Sequence, residues 1–406
     1  MNFSSPVRAR SATSWATVLL LCGAGVVVAF QIGKAPAALP MVRADLRLGL
    51  VTAGWVISMF NVIGTLLGMV IGAVADRLGH RRVVLAGLAL VALASLIGAA
   101  VGNGAALLAT RFFEGLGFMM VVVAGPSLIV RAADPHDLKL AFGVWGCYMP
   151  AGSALMMAAA PALLAPFGWR GLWIANGILV GLFALLLGVA TRGLARPRQP
   201  AVPSSLLRDI RTTVTAPGPV LLALAFGAYA LSYLVVLGFL PTILVEREGL
   251  PLTLATALTA LAIAANVPGN LIGGMLVHRG IRPWLLLAVA SATLALCGSA
   301  FYATDLPLWL RYGLVVVLSL VGGLLPSSVF GVAPALAPSP RLVATTNGLV
   351  MQGSNLGQSI GPPIAAALAA SAGDWHLTPI VLAVSGLIGI IVALALRTLE
   401  RCAKRG

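Results

Sequence analysis

Residues 72–82 read GAVADRLGHRR, and this short stretch concentrates charge in a chain that otherwise avoids it. Five of its residues are ionisable, namely Asp76, Arg77, His80, Arg81 and Arg82. In the whole chain of 406 residues only 9% are Asp, Glu, Lys or Arg, and the mean hydropathy is +1.02. A soluble domain carries about 25% charged residues. The chain has too few charges to cover a water-facing surface, so we expect lipid to be its main solvent.

The apolar residues fall into twelve stretches, each long enough to cross a bilayer as a helix of about 20 residues. They lie near 15–40, 51–75, 83–102, 106–130, 139–163, 169–191, 219–242, 252–277, 284–302, 307–333, 343–370 and 377–396. We therefore expect an all-α integral membrane protein with twelve transmembrane helices. Residues 72–82 then form the short loop between the second and third helices.

The basic residues are unevenly distributed along the chain. Lys and Arg number 26 against 11 Asp and Glu, and the formal net charge of +15 would suit a nucleic-acid partner. Most of them, however, lie at the chain ends and in alternate loops, near 77–82, 131–139, 192–211 and 279–282. An excess of Lys and Arg marks cytoplasmic loops. We therefore expect a multi-pass protein of the cell inner (cytoplasmic) membrane, with both termini cytoplasmic, that contacts membrane lipids and no nucleic acid.

One polar stretch, at 192–217, divides the chain into two halves that resemble each other. It is rich in Arg, Pro and Ser and has six apolar stretches on each side. NVIG at 61–64 is matched by NVPG at 266–269, and Arg111 by Arg311, at spacings of about 200 residues that indicate a duplicated unit. We expect an N-terminal six-helix bundle at 1–191, a cytoplasmic linker loop at 192–217 and a C-terminal six-helix bundle at 218–406, related by pseudo-two-fold symmetry.

Two sequence patterns resemble motifs of the major facilitator superfamily. One is Gly72-x-x-x-Asp76-Arg77-x-Gly79-His80-Arg81-Arg82, and the other is RFFEGLG at 111–117, with Glu114 in place of Gln. The resemblance implies two bundles that move by alternating access around a substrate site between them. It also implies that loop residues form a conformational latch, namely Gly72, Asp76, Arg77, Gly79 and Arg81.

Two further stretches indicate which group within this family the chain resembles. They lie in the fifth predicted helix and at the end of the first. GVWGCYMPAG at 143–152 departs from the family's antiporter motif, which needs adjacent Gly and Pro and a later Gly pair. This departure disfavours a drug/proton antiporter without excluding it. GKAPAALP at 33–40 and YMPAG at 148–152 resemble the cyanate/nitroimidazole-permease-like uptake group, and the resemblance implies uptake of a small organic solute.

Four ionisable residues lie within predicted helices, where a charge costs about 2.5–3.5 kcal/mol on insertion scales. They are Lys34, Arg111, Glu114 and Arg311. The family resemblance places their helices around the central cavity. Three cations with one acid leave a positive surplus, which predicts an anion site in which Arg grips a carboxylate. The alternative is structural: Arg111 pairs with Glu114, while Lys34 and Arg311 extend to the membrane interface.

Other polar residues in the predicted helices complete the candidate site. We expect Gln31, Tyr233 and Asn355 to join Lys34, Arg111 and Arg311 in binding the substrate. Glu114 is the candidate for proton coupling, because burial disfavours its charged form while the neighbouring Arg111 favours it.

Patterns typical of other function classes are absent from the sequence. There is no GxxxxGK[ST] for ATP, and the four His are isolated, so we expect no cofactor, no metal site and no enzymatic activity. The prediction is a monomeric secondary active transporter that takes up a small organic or inorganic anion together with protons. The alternative is a proton antiporter of the same superfamily that exports drugs or metabolites. A membrane sensor or scaffold without transport activity is the third hypothesis.

Overall fold

The computed structural model describes residues 13–134, 137, 141, 144–192, 206–303, 306–339 and 342–403. Within these residues all regular secondary structure is helical. The first half contains α1 (Trp15–Leu46), α2 (Leu50–Leu78), α3 (His80–Ala99), α4 (Gly104–Ala132) and α5 (Tyr148–Ala190). The second half and the segment before it contain α6 (Leu206–Thr215), α7 (Pro217–Glu246), α8 (Leu252–Ala264), α9 (Asn266–His278), α10 (Pro283–Ala303), α11 (Leu308–Gly322), α12 (Leu324–Leu336), α13 (Val343–Ala372) and α14 (Thr378–Ala403).

Ten helical stretches within the described residues are long and apolar enough to cross a membrane, which confirms the all-α membrane fold. Two features account for the difference from the predicted twelve. Helix α5 has 43 residues, about twice the length that one crossing needs, and it breaks at Gly168, where φ is +63°. Helix α13 has the length of a crossing but is less apolar than the ten. The count of twelve stays a prediction.

Two of the predicted helices of the second half are each built from two segments. The stretch predicted at 252–277 is α8 followed by α9 after a single residue, Ala265, and the stretch predicted at 307–333 is α11 followed by α12 after Gly323. The two junctions face each other, because a Cβ on Gly323 would lie 2.5 Å from the carbonyl oxygen of Asn266. The backbone of Ala265 and of Gly323 stays in the right-handed helical region, so each pair of segments forms one apolar stretch long enough to cross the membrane.

The predicted repeat is visible in the order of the helices and in the spacing of their first residues. Helices α1 to α4 begin at Trp15, Leu50, His80 and Gly104, and their counterparts begin at Pro217, Leu252, Pro283 and Leu308. The spacing between counterparts is therefore nearly constant. Of the predicted linker, 206–215 forms α6 and Pro217 begins α7, and the domain boundaries stay a prediction.

The two halves share one apolar core at one end of the bundle. We call it the Arg43 end, where α1 and α7 end, and the opposite one the His80 end, where they begin. At the Arg43 end, Leu39 and Val56 of the first half belong to one continuous core with Phe239 of the second. At the His80 end, a separate core contains, among the described residues, only side chains of the first half. The halves are thus joined most closely at the Arg43 end.

Glycine lets the helices approach each other closely, as small residues do in membranes. Gly64 on α2 lies against the side chain of Asn355 on α13, which links the two halves. Gly269 on α9 lies against the backbone of α11. A Cβ on Gly269 would be 1.8 Å from the carbonyl oxygen of Leu320. By contrast, a Cβ on Gly274, in the same helix as Gly269, would meet nothing within 4 Å.

We predict that Gly269→Ala lowers the melting temperature and that Gly274→Ala does not. The first substitution forces two backbones apart, and overpacking of this kind costs about 1–3 kcal/mol. The second adds a methyl group in open space, where Ala favours a helix by up to about 1 kcal/mol over Gly. Thermal unfolding of both variants in one detergent measures the difference. Equal melting temperatures would contradict the close approach of α9 and α11.

Candidate functional site

Three charged side chains meet inside the first half. Lys34 Nζ donates a hydrogen bond to Glu114 Oε1 at 2.6 Å, and Arg111 Nη1 donates to Glu114 Oε2 at 2.5 Å. The exposed fractions of the three side chains are 0%, 1% and 0% for Lys34, Arg111 and Glu114. One carboxylate therefore holds two cations, and the group, called the ion triad below, has a formal charge of +1.

Lys34 is fixed by neighbours from two other helices. Its Nζ also donates to Ser95 Oγ on α3 at 2.7 Å and lies 4.5 Å from the ring centroid of Trp173 on α5. Ser95 in turn donates to the backbone carbonyl of Trp173 at 2.9 Å. A cation over an aromatic face is stabilised by the ring quadrupole. These contacts hold the ammonium group of Lys34 between α1 and α4, next to Glu114.

Arg111 and Glu114 lie one helical turn apart on α4, a spacing that brings side chains together. Arg111 Nε donates to the carbonyl oxygen of Val56 on α2 at 3.1 Å, and its guanidinium lies 4.9 Å from the ring centroid of Phe60. The ion triad therefore ties α1, α2, α3, α4 and α5 together. Its charges are satisfied by one another and by named polar groups, as buried charges require.

Gln31 lies one turn before Lys34 on α1 and is also fully buried. Its Nε2 donates to Asn176 Oδ1 on α5 at 3.3 Å, and Asn176 donates to the carbonyl of Leu172. Gln31 Oε1 has no hydrogen-bond partner among the described residues. Gln31 thus extends the polar interior of the first half by one turn toward the His80 end.

Arg311 does not join the other two cations. Its Nη2 donates to Glu248 Oε1 at 2.7 Å and its Nε to the carbonyl of Leu306 at 2.9 Å, in the second half. The structure therefore brings Lys34 and Arg111 together and leaves Arg311 in a separate ion pair. Of the structural alternative, the pairing of Arg111 with Glu114 is present. Lys34 is bound to Glu114 inside the first half instead of extending to the membrane interface, and Arg311 pairs with Glu248, which follows the end of α7.

Comparison with known proteins identifies the family of this fold. The model of the Major Facilitator Superfamily matches residues 21–351, which is most of the chain. The chain belongs to the Major Facilitator Superfamily. Members of this superfamily are transporters of small molecules and not enzymes, so the chain is not an enzyme. The finer resemblance to the cyanate/nitroimidazole-permease-like group stays a prediction.

Curated relatives within the Major Facilitator Superfamily differ in what their names describe. The 3-(3-hydroxy-phenyl)propionate transporter of Escherichia coli (strain K12) is 29% identical over 77% of this chain and 76% of its own length. The cephamycin export protein CmcT of Amycolatopsis lactamdurans is 29% identical over 47% of this chain and 39% of its own length. The multidrug efflux pump LfrA of Mycolicibacterium smegmatis is 29% identical over 45% of this chain and 36% of its own length. The matches to these two exporters cover less than two fifths of the exporters' own length.

A solved structure of the Major Facilitator Superfamily fold matches nearly the whole chain. The crystal structure of a bacterial homolog to the human lysosomal transporter Spinster, in an inward-facing and occupied conformation, superimposes with a TM-score of 0.78. The match covers 97% of this chain and 98% of the other, at 16% sequence identity. At this identity the likeness shows the fold alone.

The structure describes the surroundings of two of the five predicted latch residues, Gly79 and Arg81. Gly79 ends α2 with a φ of +91°, which lets the chain turn directly into α3. Arg81 Nε donates to Thr191 Oγ1 at 2.9 Å and its Nη2 to the carbonyl of Gly188 at 2.6 Å, both at the end of α5. Arg81 is thus bonded within its own half. Gly72, Asp76 and Arg77 lie outside the residues whose side chains the structure describes, and the latch role stays a prediction.

The remaining predicted binding residues, Tyr233 and Asn355, have partners other than the ion triad. Tyr233 is on α7, with its hydroxyl 3.4 Å from Ser319 Oγ and its ring stacked on Tyr229 at 5.4 Å between centroids. Asn355 is on α13, where it donates to the carbonyl of Met351 at 2.8 Å and packs against Gly64 of the other half. Their role in binding stays a prediction.

Sequence reasoning missed several groups that surround the ion triad, namely Ser95, Trp173, Asn176 and the carbonyl of Val56. Asn176 could have been found, because an amide in the middle of an apolar stretch must have a polar partner. Ser95 and Trp173 gave no such signal, since both occur widely in apolar helices. A backbone carbonyl has no sequence signature at all.

We predict that Glu114→Gln destabilises the protein more than Lys34→Met. Glu114→Gln leaves two buried cations without a counter-ion, and breaking a buried pair in this way costs about 3–5 kcal/mol. Lys34→Met leaves the neutral pair of Arg111 and Glu114, so its cost is smaller. Thermal unfolding in detergent measures both variants.

The matched control for this prediction is Glu246→Gln, which removes the acid of an ion pair whose Glu is 44% exposed. Exposed pairs contribute up to about 1 kcal/mol, so this variant should remain close to wild type. If Lys34→Met were as destabilising as Glu114→Gln, the charge balance of the ion triad would be refuted.

Proposed function

We propose that the protein is a secondary active transporter that takes up a small organic anion together with protons. The observation that carries the proposal is the ion triad, in which a single carboxylate binds two buried cations and leaves one positive charge unbalanced. A formal charge of +1 in a region of low dielectric attracts an anion much more strongly than the same charge in water. We also retain the inorganic anions of the sequence-based prediction as possible cargo.

The organic carboxylates are the best-supported class of cargo. Arg111 can hold a carboxylate through two parallel hydrogen bonds, and Lys34 adds a second cation beside it. The Escherichia coli relative that aligns with three quarters of this chain is named for the transport of 3-(3-hydroxy-phenyl)propionate, which is a carboxylate. In this proposal Gln31, Tyr233, Arg311 and Asn355 contribute to binding when the halves rearrange.

Glu114 explains how protons would be coupled to the anion. In the described state both oxygens of Glu114 accept a hydrogen bond from a cation, so Glu114 competes with an incoming carboxylate for Lys34 and Arg111. A proton on Glu114 would raise the formal charge of the ion triad to +2 and release both cations. Each ligand then favours the binding of the other, as linkage requires. Proton and anion would cross together, as in symport.

Alternating access would come from the movement of the two halves, 1–191 and 218–406, joined by the linker 192–217. The shared core at the Arg43 end and the separate core at the His80 end favour a state that opens toward the His80 end. The latch group of Gly72, Asp76, Arg77, Gly79 and Arg81 would hold the His80 end closed in the opposite state. The positive-inside pattern supports a cell inner membrane protein with cytoplasmic termini, and we propose that it works as a monomer surrounded by lipid.

Export is the second candidate function, because two relatives are named as export or efflux proteins. An exporter would use the same ion triad with the opposite direction of proton flow. The direction of transport is measured in proteoliposomes under an imposed pH gradient, with the labelled solute placed either inside or outside the vesicles.

We predict that wild-type protein in liposomes accumulates a radiolabelled aromatic carboxylate when the outside is acidic, and that Lys34→Met/Glu114→Gln does not. This double variant keeps the formal charge of +1, since Arg111 alone remains, but it lacks the group that would carry the proton. It should still exchange labelled for unlabelled anion across the membrane. Uptake and exchange are measured in the same vesicles.

Arg170→Gln is the control, because Arg170 pairs with Asp45 at the Arg43 end, away from the ion triad. Its uptake should equal that of the wild type. Accumulation by the double variant at the wild-type level would refute the role of Glu114. If amines raised the melting temperature of the wild type and no acid did, the proposal that the cargo is an anion would be refuted.

A further inference from the structure

A cavity of about 540 Å³ lies at the Arg43 end, between the two halves. Arg43 lines it from the first half, and Glu246, Arg247, Tyr302 and Trp375 line it from the second. Its volume is within the range of sites for small molecules, roughly 300–1,000 Å³. The cavity is separate from the ion triad, whose residues do not line it.

Arg43 reaches across the cavity and is only partly committed to its partner. Its Nη1 donates to both carboxylate oxygens of Glu246, at 2.5 and 2.7 Å. Two parallel bonds from two nitrogens are the usual strong arrangement, and here one nitrogen makes both contacts. Arg43 Nε is buried and has no hydrogen-bond partner among the described residues. A ligand in the cavity cannot reach this buried nitrogen, so it would bind the Nη groups of Arg43, whose side chain is 23% exposed.

Arg247 is a second cation on the cavity wall and is held even more loosely. Arg247 Nε lies 3.8 Å from Glu248 Oε1, an oxygen that already accepts a hydrogen bond from Arg311 at 2.7 Å. The charge of Arg247 also acts on Asp374, whose pKa it helps to lower. Arg247 Nη1 lies 3.4 Å from the carbonyl of Tyr302, and the Arg247 side chain is 40% exposed. Its charge is thus available to a ligand.

The aromatic side of the cavity is rigid. Trp375 packs on Phe239 with 4.8 Å between ring centroids and on Tyr302 with 5.9 Å. Tyr302 is held by a hydrogen bond from its hydroxyl to the carbonyl of Val235 at 2.9 Å. Trp375 is half-buried and presents an apolar surface beside the two arginines. This combination suits a ligand with an anionic head and an apolar body.

The acids at the cavity are already engaged. Glu246 is bound to Arg43, and Asp374 accepts hydrogen bonds from the backbone N–H and the ring of His376. These hydrogen bonds lower the pKa of Asp374 below its usual value. The formal charges of Arg43, Arg247, Glu246 and Asp374 cancel, so an incoming anion must replace an acid as the partner of a cation. Glu246 is the acid that occupies one of the two arginines, and its carboxylate is 44% exposed, in the range where ion pairs are weak.

We propose that this cavity is a second anion site, which binds a small carboxylate with an aromatic or apolar body through Arg43 and Arg247. The body of the ligand packs against Trp375. The ligand carboxylate displaces Glu246 from Arg43 and so removes the ion pair that links the end of α1 to the end of α7. The ligand thereby loosens the junction of the two halves from the side on which it binds. Binding at this site is independent of the ion triad, whereas its consequence for gating rests on the proposed anion transport.

The test is binding of 3-phenylpropionate to the purified full-length protein, measured by isothermal titration calorimetry, with neutral 3-phenylpropionamide as the uncharged probe. Arg247→Gln should weaken the binding of the acid about tenfold, as expected for the loss of one charge-assisted contact. Glu246→Gln should strengthen it at least about threefold, because the competing carboxylate is removed. The amide should bind equally weakly to the wild type and to both variants.

Arg170→Gln is the matched control, because Arg170 is an exposed arginine at the same end of the bundle but belongs to the ion pair with Asp45. Its affinity for the acid should equal that of the wild type. Trp375→Leu should weaken binding of the acid, and comparison of all variants by circular dichroism shows that they are folded.

Two results would overturn the proposal. One is no binding of the acid to the wild type at concentrations up to about 10 mM, beyond which affinity is negligible. The other is binding that Lys34→Met abolishes while Arg247→Gln and Glu246→Gln leave it unchanged, which would place the ligand at the ion triad. A failure of the proposed transport function is distinguishable, since it would appear as absent uptake in liposomes while Arg247→Gln still weakens binding.

Discussion

The carboxylate of Glu114, held between Lys34 and Arg111, is the interaction on which the interior of the first half depends. Removing three charges from water costs several kcal/mol for each ion, and only excellent geometry compensates for this cost. The geometry here is of that kind, because both oxygens of Glu114 accept short hydrogen bonds and each cation has further partners. The ion triad thus holds five helices in one arrangement and also concentrates a positive charge where a transported anion would need it.

The same carboxylate links structure to function through competition. A side chain that satisfies two cations in one state must release them in another if those cations are to bind a substrate. Protonation is a direct way to achieve this release, since it removes the negative charge without moving a helix. A structural ion pair and a coupling site are therefore not exclusive interpretations, and the sequence-based alternatives converge on one group of residues.

The two halves share a topology but differ in the chemistry of their interiors. Asn61 and Asn266 occupy equivalent positions in the repeat, and Asn266 donates hydrogen bonds to the hydroxyl of Tyr229 at 3.1 Å and to the carbonyl of Ser319 at 2.9 Å. Leu314 stands at the position equivalent to Glu114, so α11 has no acid one turn after Arg311. Arg311, the sequence equivalent of Arg111, is bound to Glu248 near the Arg43 end. The two halves thus share a frame, but the cluster of three buried ions is built in the first half, and the equivalent arginine of the second half has an ion pair instead.

The sequence by itself determined the solvent, the elements and the family. Low charge and twelve apolar stretches require a helical membrane protein, because backbone groups in lipid must be satisfied within each helix, and the motifs at 72–82 and 111–117 indicated the Major Facilitator Superfamily. Only the tertiary structure decided which charges meet. Periodicity places Arg111 beside Glu114, but Lys34 is 80 residues away in sequence, and nothing local distinguishes it from Arg311. The partners of buried ions are set by how helices rotate and pack against each other, and that rotation is fixed by contacts, such as the carbonyl of Val56 and the ring of Trp173, that leave no mark in the pattern of residues.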